Sequence, residues 1–160
     1  MIRLINEENI PELQSEFLLT IRITVDELHD FGGTPYGTRH IDMLGEGSFE
    51  GPKLRGTVIG GMDQKIFRSD GAMNPNVRLV LKAEDDALIY MHYTGIRHGS
   101  KEVMERIAKG EAVDPTEYYL RNTPYFETSA SQYDWLNRIV SVGVGRRMPD
   151  HAAYDVFQIL

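Results

Sequence analysis

Phe17, Leu19, Ile21, Ile23 and Val25 alternate with polar Glu16, Thr20, Arg22 and Thr24. Apolar residues at period two require a strand with one buried face and one wet face. The alternation returns in Ile41 and Met43 between His40 and Asp42, in Lys53–Ile59, in Leu79, Leu81 and Ala83 around Arg78, and in Ala87–Thr94. Turn-forming residues separate these runs at Asp30–Gly37, Ser69-Asp70-Gly71, Asn74-Pro75-Asn76 and Asp85-Asp86. Arg138–Val144 and Ala153–Leu160 predict a last hairpin. One segment changes period. Ser100 caps the run KEVMERIAKG, which places Val103, Met104, Ile107 and Ala108 on one helical face and ends at Gly110. Single helical turns are expected near Asp114–Glu117 and Ser129–Trp135, and Pro124 bends the strand that begins at Tyr118 or leaves it at an edge. The chain is therefore mainly β, with about eight to ten short strands and one short α-helix at about 100–109. Regular strand spacing fits an antiparallel sandwich or a closed barrel.

The densest local signal is GEGSFEGPKLRGTVIGGMD, residues 45–63, which holds six of the chain's 15 glycines. Glycine permits bulges and close backbone approach. The stretch reads as two strands with a tight corner at Glu50-Gly51-Pro52, bending so that a sheet can curve and close. It is no phosphate cradle, because no helix follows to supply N-terminal amides.

With 160 residues, one domain is expected, a leader over 1–14 followed by a single unit over 15–160. Asn6–Ile10 could form one helical turn of that leader. A net charge of −7, with no run of Lys or Arg, argues against nucleic acid. The start MIRLINEENIPEL is neither a signal peptide nor a membrane span, and the absence of cysteine fits a reducing cytoplasm.

No cofactor signature is present: HExxH, GxSxG, a phosphate loop and a dinucleotide fingerprint are all missing. The histidines His29, His40, His92, His98 and His151 give no ligand spacing, and no metal is expected. Carboxylates are better candidates. Glu50 stands at the glycine corner, Asp63 after Gly60-Gly61, and Glu127 between Phe126 and Thr128. A carboxyl in a dry pocket can serve as a general acid or base. Arg55, Arg78 and Arg121 face solvent by default. In a barrel they could instead line the cavity and hold an oxyanion. Tyr90, Tyr93, Tyr118, Tyr119, Tyr125, Phe126, Tyr133 and Trp135 suit either a core or the wall of a pocket for a cyclic ligand.

GEGSFEGPKLRGTVIGGMD (45–63), SDGAMNPNVRLVLKAEDDALIYMHYTG (69–95), EYYLRNTPYFET (117–128) and YDWLNRIVSVGVG (133–145) together resemble the bacterial and fungal domain-of-unknown-function family 3237. The resemblance spans about residues 15–160. It implies a single antiparallel β-barrel, similar to lipocalin-like or allene-oxide-cyclase-like barrels, and little about activity. The family's pattern falls on Glu50, Gly51, Pro52, Arg55, Gly60, Gly61, Asp63, Asp70, Gly71, Arg78, Phe126, Glu127, Trp135, Leu136 and Asn137. The chain departs from it at Gln64, where an aromatic is usual, and at Ala87, where glycine is usual. Backbone geometry explains glycine and proline in such a pattern but not Asp63, Arg78 and Glu127.

The leading expectation is a cofactor-independent enzyme that transfers a proton, as an isomerase, hydratase, lyase or cyclase, on a small cyclic or aromatic molecule inside the barrel. Asp63 or Glu127 would move the proton and Arg78 would hold the oxyanion, all three lining one pocket. Glu50, Arg55, Tyr90, Tyr93, Trp135 and Asn137 would contact the substrate. The alternatives are a carrier with a wholly apolar interior, and an interaction domain that forms a homodimer. Neither nucleic acid nor membrane is an expected partner.

Overall fold

The computed structural model describes residues 9–160, so the expected leader over 1–14 and the turn at Asn6–Ile10 lie mostly outside the described residues. Eleven strands form: β1 (Ser15–Thr34), β2 (Gly37–Glu50), β3 (Arg55–Asp63), β4 (Ile66–Phe67), β5 (Met73–Asn74), β6 (Asn76–Ala83), β7 (Leu88–Gly99), β8 (Tyr118–Asn122), β9 (Tyr125–Glu127), β10 (Val140–Arg147) and β11 (Ala152–Ile159). They are joined by helix α1 (Lys101–Ala108) and two 3-10 segments, Pro115–Glu117 and Ser131–Arg138.

The pairings form a closed antiparallel circuit: β1, β2, β3, β6, β7, β8, β10, β11 and back to β1. The fold is thus a barrel and not a sandwich. Its weakest seam is β8–β10, held by the pairs Gly143–Asn122 and Val144–Arg121. Pro124 interrupts β8, and the chain resumes as β9 along the same side of β7. Beyond the ends of β3 and β6, the small β4–β5 hairpin bridges β2 to β7.

One end of the barrel is a hydrocarbon core built from Leu19, Ile21, Phe49, Val58, Leu79, Leu81, Ile89, Met91, Leu136 and Val156, all almost inaccessible. Helix α1 starts as expected. Ser100 Oγ accepts the Val103 amide at 3.2 Å, and Val103 and Ile107 are buried in the core cluster. Gly110 ends it at φ +77°, its amide donating to Ile107 O. Among the described residues no helix is long and apolar enough to cross a membrane.

The glycine-rich stretch turns the barrel's corner by breaking strand phase. Val58 pairs with Leu81 and Gly61 with Leu79, so an extra residue is inserted on β3 between Val58 and Gly60. Gly60 occupies φ +154°, which residues with a side chain rarely adopt. At Gly61 an added Cβ would stand 1.9 Å from Arg78 O, so only glycine lets β6 approach. The bulge also changes which side chains face inward. In unbroken phase with Val58, Met62 would point into the barrel and Asp63 out. With the bulge, Asp63 pairs with inward-facing Val77.

Two expectations about β1 and β2 are corrected. The Asp30–Gly37 segment is no loop. β1 continues to Thr34, β2 starts at Gly37, and Gly32 at φ +70° sits in a bulge of this pair. The result is a two-stranded arm beyond the barrel, with Leu28, Phe31 and Tyr36 exposed. Phe17 does not share the buried face of Leu19, Ile21 and Ile23. A register shift between Phe17 and Leu19 buries Leu18 and turns Phe17 outward.

Gly61→Ala is expected to lower stability by about 1–3 kcal/mol, the range for forcing extra volume into packed structure. Gly33→Ala, where a Cβ meets nothing within 4 Å, should stay within about 0.5 kcal/mol of the parent. Urea denaturation of both variants checks the pair.

Candidate functional site

The polar end of the barrel holds a cavity of about 50 Å³. Every wall contributes: Ile23 and Val25 from β1, Asp42 and Leu44 from β2, Asp63 from β3, Val77 from β6, Tyr93 and Arg97 from β7, Leu120 from β8, Arg147 from β10, Ala152 and Tyr154 from β11. Lys65, Met73 and Pro75 complete the rim. Period two explains most of this set. On β7, Ile89, Met91, Tyr93 and Arg97 share the inward phase and are buried. On β2, Asp42 lies directly opposite Asp63.

Charges here are partly paired. Lys65 Nζ donates to Asp42 Oδ2 at 2.5 Å, and Asp42 is 1% exposed. Asp42 Oδ1 has no partner among the described residues. Asp63 Oδ1 accepts the Asn76 amide at 3.0 Å. Burial pushes the Asp63 carboxyl up to about 6, outweighing the downward pull of that amide, Lys65 and Arg97. Tyr93 and Tyr154 lie with ring centroids 5.2 Å apart. Burial raises both phenols, Tyr154 to about 12, so each stays protonated and able to donate. Arg97 is 7% exposed and its Nε is buried without an acceptor among the described residues. Burial holds this guanidinium below the ordinary arginine range, though it remains a cation.

The structure does not bring the expected trio together. Asp63 and Tyr93 line the cavity. Arg78 points outward, because Val77, Leu79, Leu81 and Ala83 take the inward phase of β6, and its Nη1 reaches Asn76 Oδ1 at 3.2 Å. Glu127 is exposed on β9, where Phe126 takes the inward position, and it pairs across from Tyr90 on the outer wall. The shared pocket of Asp63, Arg78 and Glu127 is therefore corrected to Asp63 alone. Glu50 and Arg55 lie at the glycine corner at the far end of β2, with Arg55 Nε 2.8 Å from Glu84 Oε2. Trp135 packs half-buried against the core with Lys53 Nζ 5.4 Å from its ring centroid. Asn137 clamps Thr128, donating to its carbonyl and accepting its amide, both at 2.9 Å. Among the described residues no three His, Asp or Glu side chains converge as a metal site would require.

Arg97, Arg147, Lys65, Asp42 and Tyr154 are the polar cavity residues that sequence reasoning missed. Arg97 had a signal. It continues the Ile89-Met91-Tyr93 phase beyond Thr94, where the expected strand stops and the observed one runs on to Gly99. Lys65 had none, since it lies in the break between β3 and β4.

The raised Asp63 carboxyl has a consequence for stability. Its unfolded value is about 3.9, so between pH ~4 and ~6 the folded chain binds more protons than the unfolded one. The stability this group contributes is fully present below that window and is lost as pH rises through it, by at most about 3 kcal/mol. Asp63→Asn is expected to flatten this decline and to raise stability at pH 7.5 by about 1–3 kcal/mol, read by urea unfolding at pH 4, 6 and 7.5.

The family model described as "Protein of unknown function (DUF3237)" matches residues 13–159. A UPF0311 protein of Clostridium acetobutylicum is 33% identical over 153 residues, covering 94% of this chain and 97% of its own length. A crystal structure of a "beta-barrel like protein" from Acinetobacter baumannii superposes with TM-score 0.82 at 35% identity, covering 96% of this chain and 100% of that one. A Penicillium herquei protein described as an enzyme shares the fold at TM-score 0.72 and 20% identity, over 95% of this chain and 98% of its own. With its whole barrel matched by the family model, this chain belongs to the DUF3237 family of proteins of unknown function.

Proposed function

We propose that the chain is a cofactor-independent enzyme that transfers a proton on a small organic molecule held at the polar end of the barrel. The observation that supports this best is the Asp63 carboxyl, pushed up to about 6 within a cavity shared with a buried guanidinium and two phenols. A base with that value is half ionised at pH about 6 and mostly ionised at neutrality, so it is ready to take a proton and can return it readily. Asp63 would remove a proton from carbon next to a carbonyl, the electron pair moving onto the carbonyl oxygen. Arg97, and not the outward Arg78, would stabilise that oxyanion, with Tyr154 or Tyr93 as a further donor. Protonated Asp63 would exchange its proton with solvent and deliver a proton to the same or another atom of the substrate, so that in D2O deuterium ends up on carbon. The sequence balances with no redox partner.

The carrier reading required an apolar interior, and this interior carries Asp42, Asp63, Lys65 and Arg97. The Penicillium herquei protein with the same fold is described as an enzyme. The cavity of about 50 Å³ is well below the ~300 Å³ of a typical ligand pocket. The reacting group would enter it while the rest of the molecule lies at the rim, a narrower arrangement than a ring wholly inside the barrel.

The test is a panel of unsaturated ketones and lactones in D2O, with carbon-bound deuterium followed by NMR. For any substrate that exchanges, the rate should rise with pH through about 6, and Asp63→Asn should lower it by about 10²–10⁴-fold. Full activity in Asp63→Asn removes Asp63 as the base. Glu127→Gln should exchange at the parent rate, whereas a loss like that of Asp63→Asn would return Glu127 to the site.

A further inference from the structure

The charges in the cavity do not balance. Asp42 and Lys65 cancel each other. That leaves Arg97, with Arg147 at the rim, against the one carboxyl of Asp63. Arg97 is only 7% exposed, its Nε has no acceptor, and no carboxylate lies within ion-pair distance of it among the described residues. A buried guanidinium without a partner is costly, and its usual remedy is a bidentate oxyanion. The space beside it is small and shaped by strands on every side. About 50 Å³ admits the equivalent of a few water molecules at roughly 10–15 Å³ each, enough for a planar head of three or four atoms and too little for a ring.

We propose that Arg97 is the seat of an anion-binding subsite, and that the natural ligand is a small organic acid whose planar carboxylate, or equivalent delocalised enolate, docks on this guanidinium beside Asp63 and Tyr154. The proposal uses the same cavity as the proton-transfer reading and names its substrate class, but binding alone tests it. Planar geometry separates the candidates. A carboxylate meets the arginine fork with two parallel hydrogen bonds, whereas a tetrahedral phosphate brings further anionic oxygens into a cavity that also holds Asp42 and Asp63. The groups facing the ligand are Asp42 from β2, Lys65 from the break between β3 and β4, Asp63 from β3, Tyr93 from β7, Arg147 from β10 and Tyr154 from β11. Of these, Asp63 changes charge near neutrality. Its ionisation opposes an anion, so affinity should fall as pH rises above 6, approaching tenfold per unit where one proton is taken up with the ligand.

The experiment titrates the full chain with benzoate, benzamide and inorganic phosphate, following calorimetry and the Arg97 Nε–H resonance. Benzoate is expected to bind and shift that resonance, benzamide and phosphate to bind at least tenfold more weakly. Arg97→Gln should lose benzoate binding by tenfold or more, and Arg97→Lys should fall between. Asp63→Asn should keep binding at pH 7.5 and lose its pH dependence. If a variant fails to fold, the wild-type resonance shift and the benzoate-to-benzamide ratio decide alone. Equal binding of benzamide, preference for phosphate, or full affinity in Arg97→Gln overturns the proposal. Arg97-dependent benzoate binding without any deuterium exchange leaves the subsite standing and removes the enzyme reading. Asp63-dependent exchange that benzoate does not inhibit does the reverse.

Discussion

One inserted residue at the β3 bulge decides what the open end of the barrel contains. Up to Val58 the strand presents apolar side chains to a hydrocarbon core. Past Gly60 the phase is reversed, and Asp63 enters the interior opposite Asp42. On β2 the pairing advances from Leu44 to Gly47 against Gly61 to Val58, so the neighbouring strand changes phase at the same level. The corner is thus a line of irregularity running across strands, which glycine makes possible by close backbone approach. It separates a dry end that stabilises the barrel from a charged end that weakens it.

The charged end is held at a cost that the core must offset. Two carboxylates face each other across β2 and β3, and Lys65 satisfies only Asp42. Asp63 responds by holding its proton to about 6, and Arg97 remains a cation with an open donor. Neither state improves folding. Strongly perturbed groups gathered in one cavity are a mark of functional sites, and here the arrangement is supported on strands and not on loops, which limits how far the groups can relax toward one another.

The barrel was legible because amphipathic strands repeat and each is closed by its own turn. β6 and the start of β7 follow their alternation residue by residue. The site was legible only in part. Alternation could have placed Arg78 outside and Arg97 inside, because both lie in regular strand phase with buried neighbours. It could not place Asp63 or Lys65, which follow a bulge and a strand break, where hydropathy no longer reports the face. Family resemblance singled out Asp63 without saying why. The structural reason is the phase change at Gly60. Glu127 and Asn137 share that resemblance, yet Asn137 ties down Thr128, a role in chain geometry that composition does not distinguish from chemistry.

The long β1–β2 arm leaves one strand edge without a neighbour. β11 accompanies β1 only as far as Ile23, so from Val25 to Thr34 the outer side of β1 pairs with nothing among the described residues. Such an edge invites strand addition and fibril growth. This one carries Asp26, Glu27 and Asp30 within a chain of net charge −7, so two copies repel before their backbones can meet. As the chain nears its isoelectric point of about 5.2, that exposed ribbon becomes the part of the molecule most ready to stick to its own kind.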